Sequence, residues 1–98
     1  MIRTIVAPRA TADIEELVEF IAADNPDAAL RIRDGVYEAI RRIGARPGIG
    51  HRRPDLTRQP YLFLTALRRY LIVYRPDAEA VVILRVFNRG QDVRRRLR

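Results

Sequence analysis

The sequence predicts an α+β domain of order β-α-α-β-β-β, with a helical hairpin packed on a mostly antiparallel sheet and a short C-terminal helix. Three observations carry this. The first half has apolar stripes at helical spacing, the second half has apolar runs rich in strand formers, and a Pro/Gly-rich segment divides them. Helices gathered ahead of strands favour segregated layers. A chain of 98 residues has room for one core, so residues 1–98 are read as a single domain.

Ile2 to Ala7 is a short apolar run and reads as the first strand. Pro8 suits the first turn of a helix, where a missing N–H costs nothing. Ile14, Leu17, Val18 and Ile21 then recur at the spacing of one helical face, with Asp13, Glu15, Glu16 and Glu19 in the early part and on other faces. Asp24-Asn25-Pro26-Asp27 is a hinge. Asn25 can cap a second helix that Pro26 opens. Ala29, Ile32, Val36, Ile40 and Ile43 continue with helical spacing to Arg41 and Arg42, and Gly44 is the expected terminator. Phe20, Leu30 and Tyr37 lie off these stripes. They are either the margin of a wide core face or an apolar strip for a partner.

Ala45 to Pro60 holds three prolines and two glycines besides Arg52, Arg53 and Arg58, and reads as a basic loop. Tyr61–Thr65, Tyr70–Tyr74 and Ala80–Phe87 are the remaining strands, with Pro76-Asp77 turning between the last two. Tyr70 and Tyr74 alternate with Leu71 and Val73, which suits packing against a sheet face. Gln91 to Arg98 could form one or two helical turns, with Asp92 near their start. The second sheet face and the loops are left for function.

Composition narrows the function. There is no cysteine, and His51 is the single histidine, so neither a disulfide framework nor a thiolate or His-rich metal site is expected; no cofactor is called for. No apolar run reaches the length of a membrane span, and the N-terminus does not read as a secretory signal, so a cytoplasmic protein is expected. The net charge is +7, and all 19 basic residues are arginine. Guanidinium forks bind phosphates and carboxylates bidentately, which suits a polyanion or an acidic protein.

Several pieces in order resemble the ParE/RelE toxins of type II toxin–antitoxin systems. They are Ala7-Pro8-Arg9-Ala10 with Asp13-Ile14; Ile21-Ala22 with Asn25-Pro26 and Ala28-Ala29; Pro47-Gly48-Ile49-Gly50 before Arg52-Arg53-Pro54-Asp55-Leu56; Arg69-Tyr70-Leu71-Ile72-Val73-Tyr74-Arg75; and Ile83-Leu84-Arg85-Val86 with Asp92. No single piece is specific, but their order and spacing are. The resemblance implies the same β-α-α-β-β-β fold and a cognate ParD-like antitoxin in a heteromeric complex. It also implies one of two targets. ParE-like members poison DNA gyrase, whereas RelE-like members cut messenger RNA on the ribosome. A third reading is a non-toxic member acting only in an antitoxin complex.

Metal-free RNA cleavage needs a base, an acid and a cation for the transition state. Arg68, Arg75, Arg89 and Asp92 are the candidates for such chemistry. Lysine is absent, no tyrosine follows Tyr74, and Asn88 stands where many relatives have histidine. Arginine stays protonated and makes a poor base, so the ParE-like binding reading leads. Arg85, Asn88 and Arg89, then the tail arginines Arg94, Arg95, Arg96 and Arg98, are the expected target-binding residues. Phe20, Leu30 and Tyr37, with Arg52 and Arg53, are the expected antitoxin contacts. Replacing Arg85 and Arg89 together by alanine is expected to abolish toxicity and spare antitoxin binding.

Overall fold

The structure is a computed structural model that describes residues 2–97. Its elements are β1 (Arg3–Val6), α1 (Pro8–Ala22), α2 (Pro26–Ala45), β2 (Leu62–Ala66), β3 (Tyr70–Pro76), β4 (Ala80–Asn88) and α3 (Val93–Arg96), with a short 3-10 turn at Pro47–Ile49. The sheet order is β1-β4-β3-β2. The β2–β3 and β3–β4 pairs are antiparallel, and β1 joins parallel to β4.

The local signals act as sequence reasoning expects. Pro8 opens α1, and the Asn25 side chain accepts the Ala28 N–H at 3.0 Å as α2 begins at Pro26. Asp77 N–H donates to the Ala80 carbonyl and closes the β3–β4 turn. Gly44 behaves differently. It lies inside the last turn of α2, which runs on to Ala45, and a Cβ there would collide with the Thr4 hydroxyl. Its value is the close approach of α2 to β1, not termination.

The helices cover one sheet face. Ile14, Val36, Ile40 and Ile43 meet Tyr70, Ile72, Tyr74, Val81 and Ile83 in the main core. Strand alternation sends Val73 to the other face, where it packs with Phe63 and Phe87. That second face is not left open for function. Leu56 and Tyr61 from the long loop and Val93 and Leu97 from the tail cover it. The loop is held in place from the core side: the Tyr74 hydroxyl donates to the Pro47 carbonyl at 2.7 Å and accepts the Gly50 N–H at 2.8 Å. A Cβ on Gly50 would come within 2.7 Å of that hydroxyl, so only glycine fits under it. His51 then bridges Phe63 through the backbone, at the outer edge of β2.

A bulge in β4 changes which of its residues face the helices. Val73 pairs with Arg85 while Tyr74 pairs with Ile83, which leaves Leu84 as the extra residue. Alternation shifts by one there, so that Val86 faces the helices and Phe87 the opposite side. β1 ends at Val6, opposite Ile83, because Pro8 starts α1. Beyond that point β4 has no strand neighbour on this flank, and α1 supplies the missing acceptor. Asp13 takes the Val86 N–H at 3.0 Å.

Candidate functional site

Asp13 also holds Arg85. Its carboxylate accepts from Arg85 Nε at 2.8 Å and Nη2 at 3.1 Å, with side chains only 11% and 12% exposed. Arg85 Nη1 reaches the Arg96 carbonyl at 3.2 Å, and the guanidinium lies 4.6 Å from the centre of the Phe87 ring. Three of its five N–H groups are spent on these contacts, and its side chain is nearly buried. Arg85 therefore ties α1, β4 and α3 together rather than offering a free fork to a target, and Asp13 is an ion-pair partner rather than a dipole-matching charge.

Four exposed arginines without an ion-pair partner among the described residues gather nearby, where β4 ends beside the β2–β3 connection. Leu67 and Arg68 both have positive φ, 55° and 59°, and Arg69 N–H donates back to the Ala66 carbonyl at 3.1 Å. Turns with two left-handed residues match the twist of a hairpin but normally use Asn, Asp or Gly. Leucine and arginine cost about 1–2 kcal/mol each in that conformation. The Leu67 side chain offsets this by seating on α2 at Gly35, where a Cβ would lie 2.7 Å from its Cδ1. The turn is thus pinned in one orientation.

That orientation brings Arg68 and Arg69 beside Arg31 of α2 and Arg89 beyond β4, all lining a cleft of about 510 Å³ floored by Ala28, Ile32 and Tyr70. Arg89 is placed by a tight turn in which Asn88 N–H donates to Gln91 Oε1 at 2.6 Å and Gly90 takes φ 95°. A second cleft of about 460 Å³ continues round the end of the sheet. It shares Arg68, Arg69 and Arg89 and adds Arg53 and Asn88. No acidic side chain lines either one. Arg31, Arg68, Arg69 and Arg89 are exposed and make no ion pair among the described residues.

The other expected site residues are dispersed. Arg75 pairs with Asp77 at the opposite end of β3, at 3.2 Å. Arg53 is held by Asp55 at 3.0 and 2.8 Å; this hydrogen-bonded pairing lowers the Asp55 pKa below the usual carboxylate value and raises that of Arg53. Arg52 is exposed beside it. Asp92 caps α3 by accepting the Arg95 N–H, and with Asp55 it faces Arg94 and Arg95 across a cleft of about 700 Å³. Arg96 points to α1, and Arg98 lies outside the described residues. Of the catalytic candidates, then, Arg68 and Arg89 come together, and Arg75 and Asp92 do not join them. Arg69, the sequence neighbour of Arg68, and Arg31 complete the cluster, and nothing in the sequence around Arg31 signals it.

The apolar candidates divide as well. Phe20 is 79% exposed and Leu30 48%, whereas Tyr37 packs against the main core. Phe20 stands over a cleft of about 300 Å³ between α1 and the end of β4, with Leu17 and Val86 beneath it and Arg9, Glu16 and Arg96 around it.

Guanidinium groups alone can bind and neutralise anions, but they cannot shuttle protons. Beside the four-arginine cleft the one other ionisable side chain is Tyr70, whose ring belongs to the core and is 2% exposed. His51 lines neither cleft. No group of three or more potential metal ligands occurs among the described residues. No helix is long and apolar enough to cross a membrane.

Comparison with known proteins agrees with the fold and the motifs. A chain of the chromosomal ParDE TA system from P. aeruginosa superposes with a TM-score of 0.76 at 21% identity, covering 90% of this chain and 96% of that one. Identity this low bears on the fold alone. No curated protein matches by sequence. The family model described as ParE toxin of type II toxin–antitoxin system, parDE, matches residues 4–93, from within β1 to the first residue of α3, and the chain belongs to that toxin family.

Proposed function

We propose that this toxin acts by binding and not by cutting RNA, with DNA gyrase as its target and a ParD-like antitoxin as its neutralising partner. The observation that carries the reading is the cleft of Arg31, Arg68, Arg69 and Arg89 with no proton-transfer group able to serve it. Four clustered cations suit docking onto an anionic surface. RNA cleavage would require a base for the 2′-hydroxyl, and the buried Tyr70 ring is badly placed to receive a ribose.

The antitoxin reading draws on a different surface. Phe20, with Leu17 and Val86 below it and charges of both signs around it, has the apolar centre and polar rim of a protein-binding patch. An acidic antitoxin segment that orders on binding would insert there.

The test is a supercoiling assay with purified gyrase and toxin freed of antitoxin. Dose-dependent inhibition, relieved by antitoxin, is expected. Ribosome-dependent cleavage of messenger RNA that disappears in Tyr70→Phe would instead make the cleft an RNase site and overturn the proposal. A folded toxin that binds antitoxin but leaves both gyrase and ribosomes untouched would place the chain among non-toxic members.

A further inference from the structure

We infer that the cleft of Arg31, Arg68, Arg69 and Arg89 is a binding site for the phosphodiester backbone of duplex DNA, which the free toxin engages directly, whatever enzyme it targets. Three observations support a regularly charged polymer as the occupant. The four guanidinium groups make no ion pair among the described residues, and no Asp or Glu lines either of the two clefts they share. The basic rim does not stop at one opening but runs round the end of the sheet, because Arg68, Arg69 and Arg89 line both clefts; Arg53, on the second, is paired with Asp55. And the turn that carries Arg68 and Arg69 has a left-handed backbone with Leu67 against Gly35, which sets both residues on the rim of the cleft with their side chains exposed to a ligand.

An acidic protein segment is the competing occupant, and the rest of the molecule argues against placing it here. Protein interfaces deplete charge at their centres and anchor on apolar groups. The most exposed large apolar side chain, Phe20, lies in a different cleft, one that also contains Asp13 and Glu16. Concentrated positive charge without counter-charge is the footprint of phosphate binding, where each contact releases condensed cations. A contact made by guanidinium groups on phosphates is sequence-independent.

The experiment is fluorescence anisotropy of a short labelled DNA duplex titrated with full-length, antitoxin-free toxin at several salt concentrations. Four phosphate contacts predict a slope of log K against log salt of about −3.6, the same for unrelated sequences. Arg68→Gln with Arg89→Gln should weaken binding by about tenfold or more and reduce the slope by about 2. Arg68→Lys with Arg89→Lys should retain the slope, which separates loss of charge from loss of fold. Arg33→Gln with Arg41→Gln, each paired to a neighbouring carboxylate on α2, is the control and should change little. If that control pair removed DNA binding while the cleft variant left the slope intact, the site would be wrong. If a polyglutamate peptide of matched charge displaced the duplex as well as unlabelled DNA does, the cleft would be a carboxylate site and the inference would fail. Gyrase is absent from this assay, so its result and that of the supercoiling test can fail separately.

Discussion

Arg85 and Arg89 stand four positions apart at the end of the same strand and carry the same side chain, yet one is consumed by the fold and the other is offered to solvent. Arg85 is fixed by two bonds to Asp13 and lies over Phe87; Arg89 follows the strand, exposed, on the rim of an arginine-lined cleft. The difference comes from what stands beside each. β1 stops opposite Ile83, and the carboxylate that replaces it satisfies both the Val86 N–H and the Arg85 fork. Among the described residues no carboxylate lines the cleft beside Arg89. A basic residue is available for binding only where the fold supplies no counter-charge, and at this end of the sheet four such arginines share one cleft.

The largest expected effect breaks the structural side of this comparison. Asp13→Ala leaves Arg85 charged in a nearly buried position and frees the Val86 N–H, Arg85→Ala leaves Asp13 charged there, and either should cost about 3–5 kcal/mol in chemical denaturation. The paired change Asp13→Leu with Arg85→Met should cost less than the sum of the single changes. Additive losses would mean the two residues do not act as a pair. Arg85→Ala is therefore a poor probe of toxicity, because lost activity would report lost fold. The double alanine variant suggested by sequence alone cannot separate those two causes.

Tyr74 comes next. Removing its hydroxyl in Tyr74→Phe strands the Pro47 carbonyl and the Gly50 N–H, and should cost about 1–3 kcal/mol and loosen the loop over the second core. Its pKa is raised above the ordinary tyrosine value, chiefly by burial, with the Gly50 N–H pulling the other way. A raised folded-state pKa means the contribution is complete below the unfolded value, about 10, and is lost as pH climbs through the folded one. Denaturation followed from neutral to strongly alkaline pH should show wild-type stability falling above pH about 10, and Tyr74→Phe should flatten that fall. An equal alkaline loss in both proteins would assign it to other groups.

The fold was largely readable because its signals are local. The Asn25-Pro26 hinge, the Pro8 helix start, the stripes of α1 and α2 and the alternation of Tyr70, Ile72 and Tyr74 each depend on neighbours a few positions away. What sequence did not yield is set by distant pairing. Asp13 and Arg85 meet across 72 positions, and β1 lies parallel to β4 because the chain returns past it. The cover on the second sheet face comes from a loop and a tail whose few apolar residues, Leu56, Tyr61, Val93 and Leu97, have no period. Gly44 looks like a stop because a glycine at a helix end usually is one, but Thr4 decides its use. The arginine cluster is half visible: Arg68 and Arg89 are candidates by sequence, but Arg31 joins them only because Leu67 docks the turn on α2.

Phe20→Ala separates the two binding surfaces. With 79% of its surface exposed, Phe20 adds little to the core, so stability should change by less than about 0.5 kcal/mol. If it anchors the antitoxin, affinity measured by calorimetry should fall by about 2 kcal/mol or more, as for a buried aromatic hot spot, while inhibition of gyrase persists. Unchanged antitoxin affinity would move the anchor elsewhere, with Leu30 the next exposed candidate.

Arg89→Ala should have the smallest effect on stability and sharpens the opening comparison most. Arg89 is exposed and has no ion-pair partner among the described residues, so its removal should shift the unfolding free energy by no more than about 0.5 kcal/mol. Toxicity should nevertheless fall, because the cleft loses one of the four cations that line it. Antitoxin affinity should hold, since Phe20 and its surroundings are untouched. Measured beside Arg85→Ala, the two variants should diverge: one stable and less toxic, the other unstable. A stable Arg89→Ala protein that still arrests growth would mean that an unpaired arginine at this end of the sheet is spare surface charge, and the cleft would lose its claim to the target.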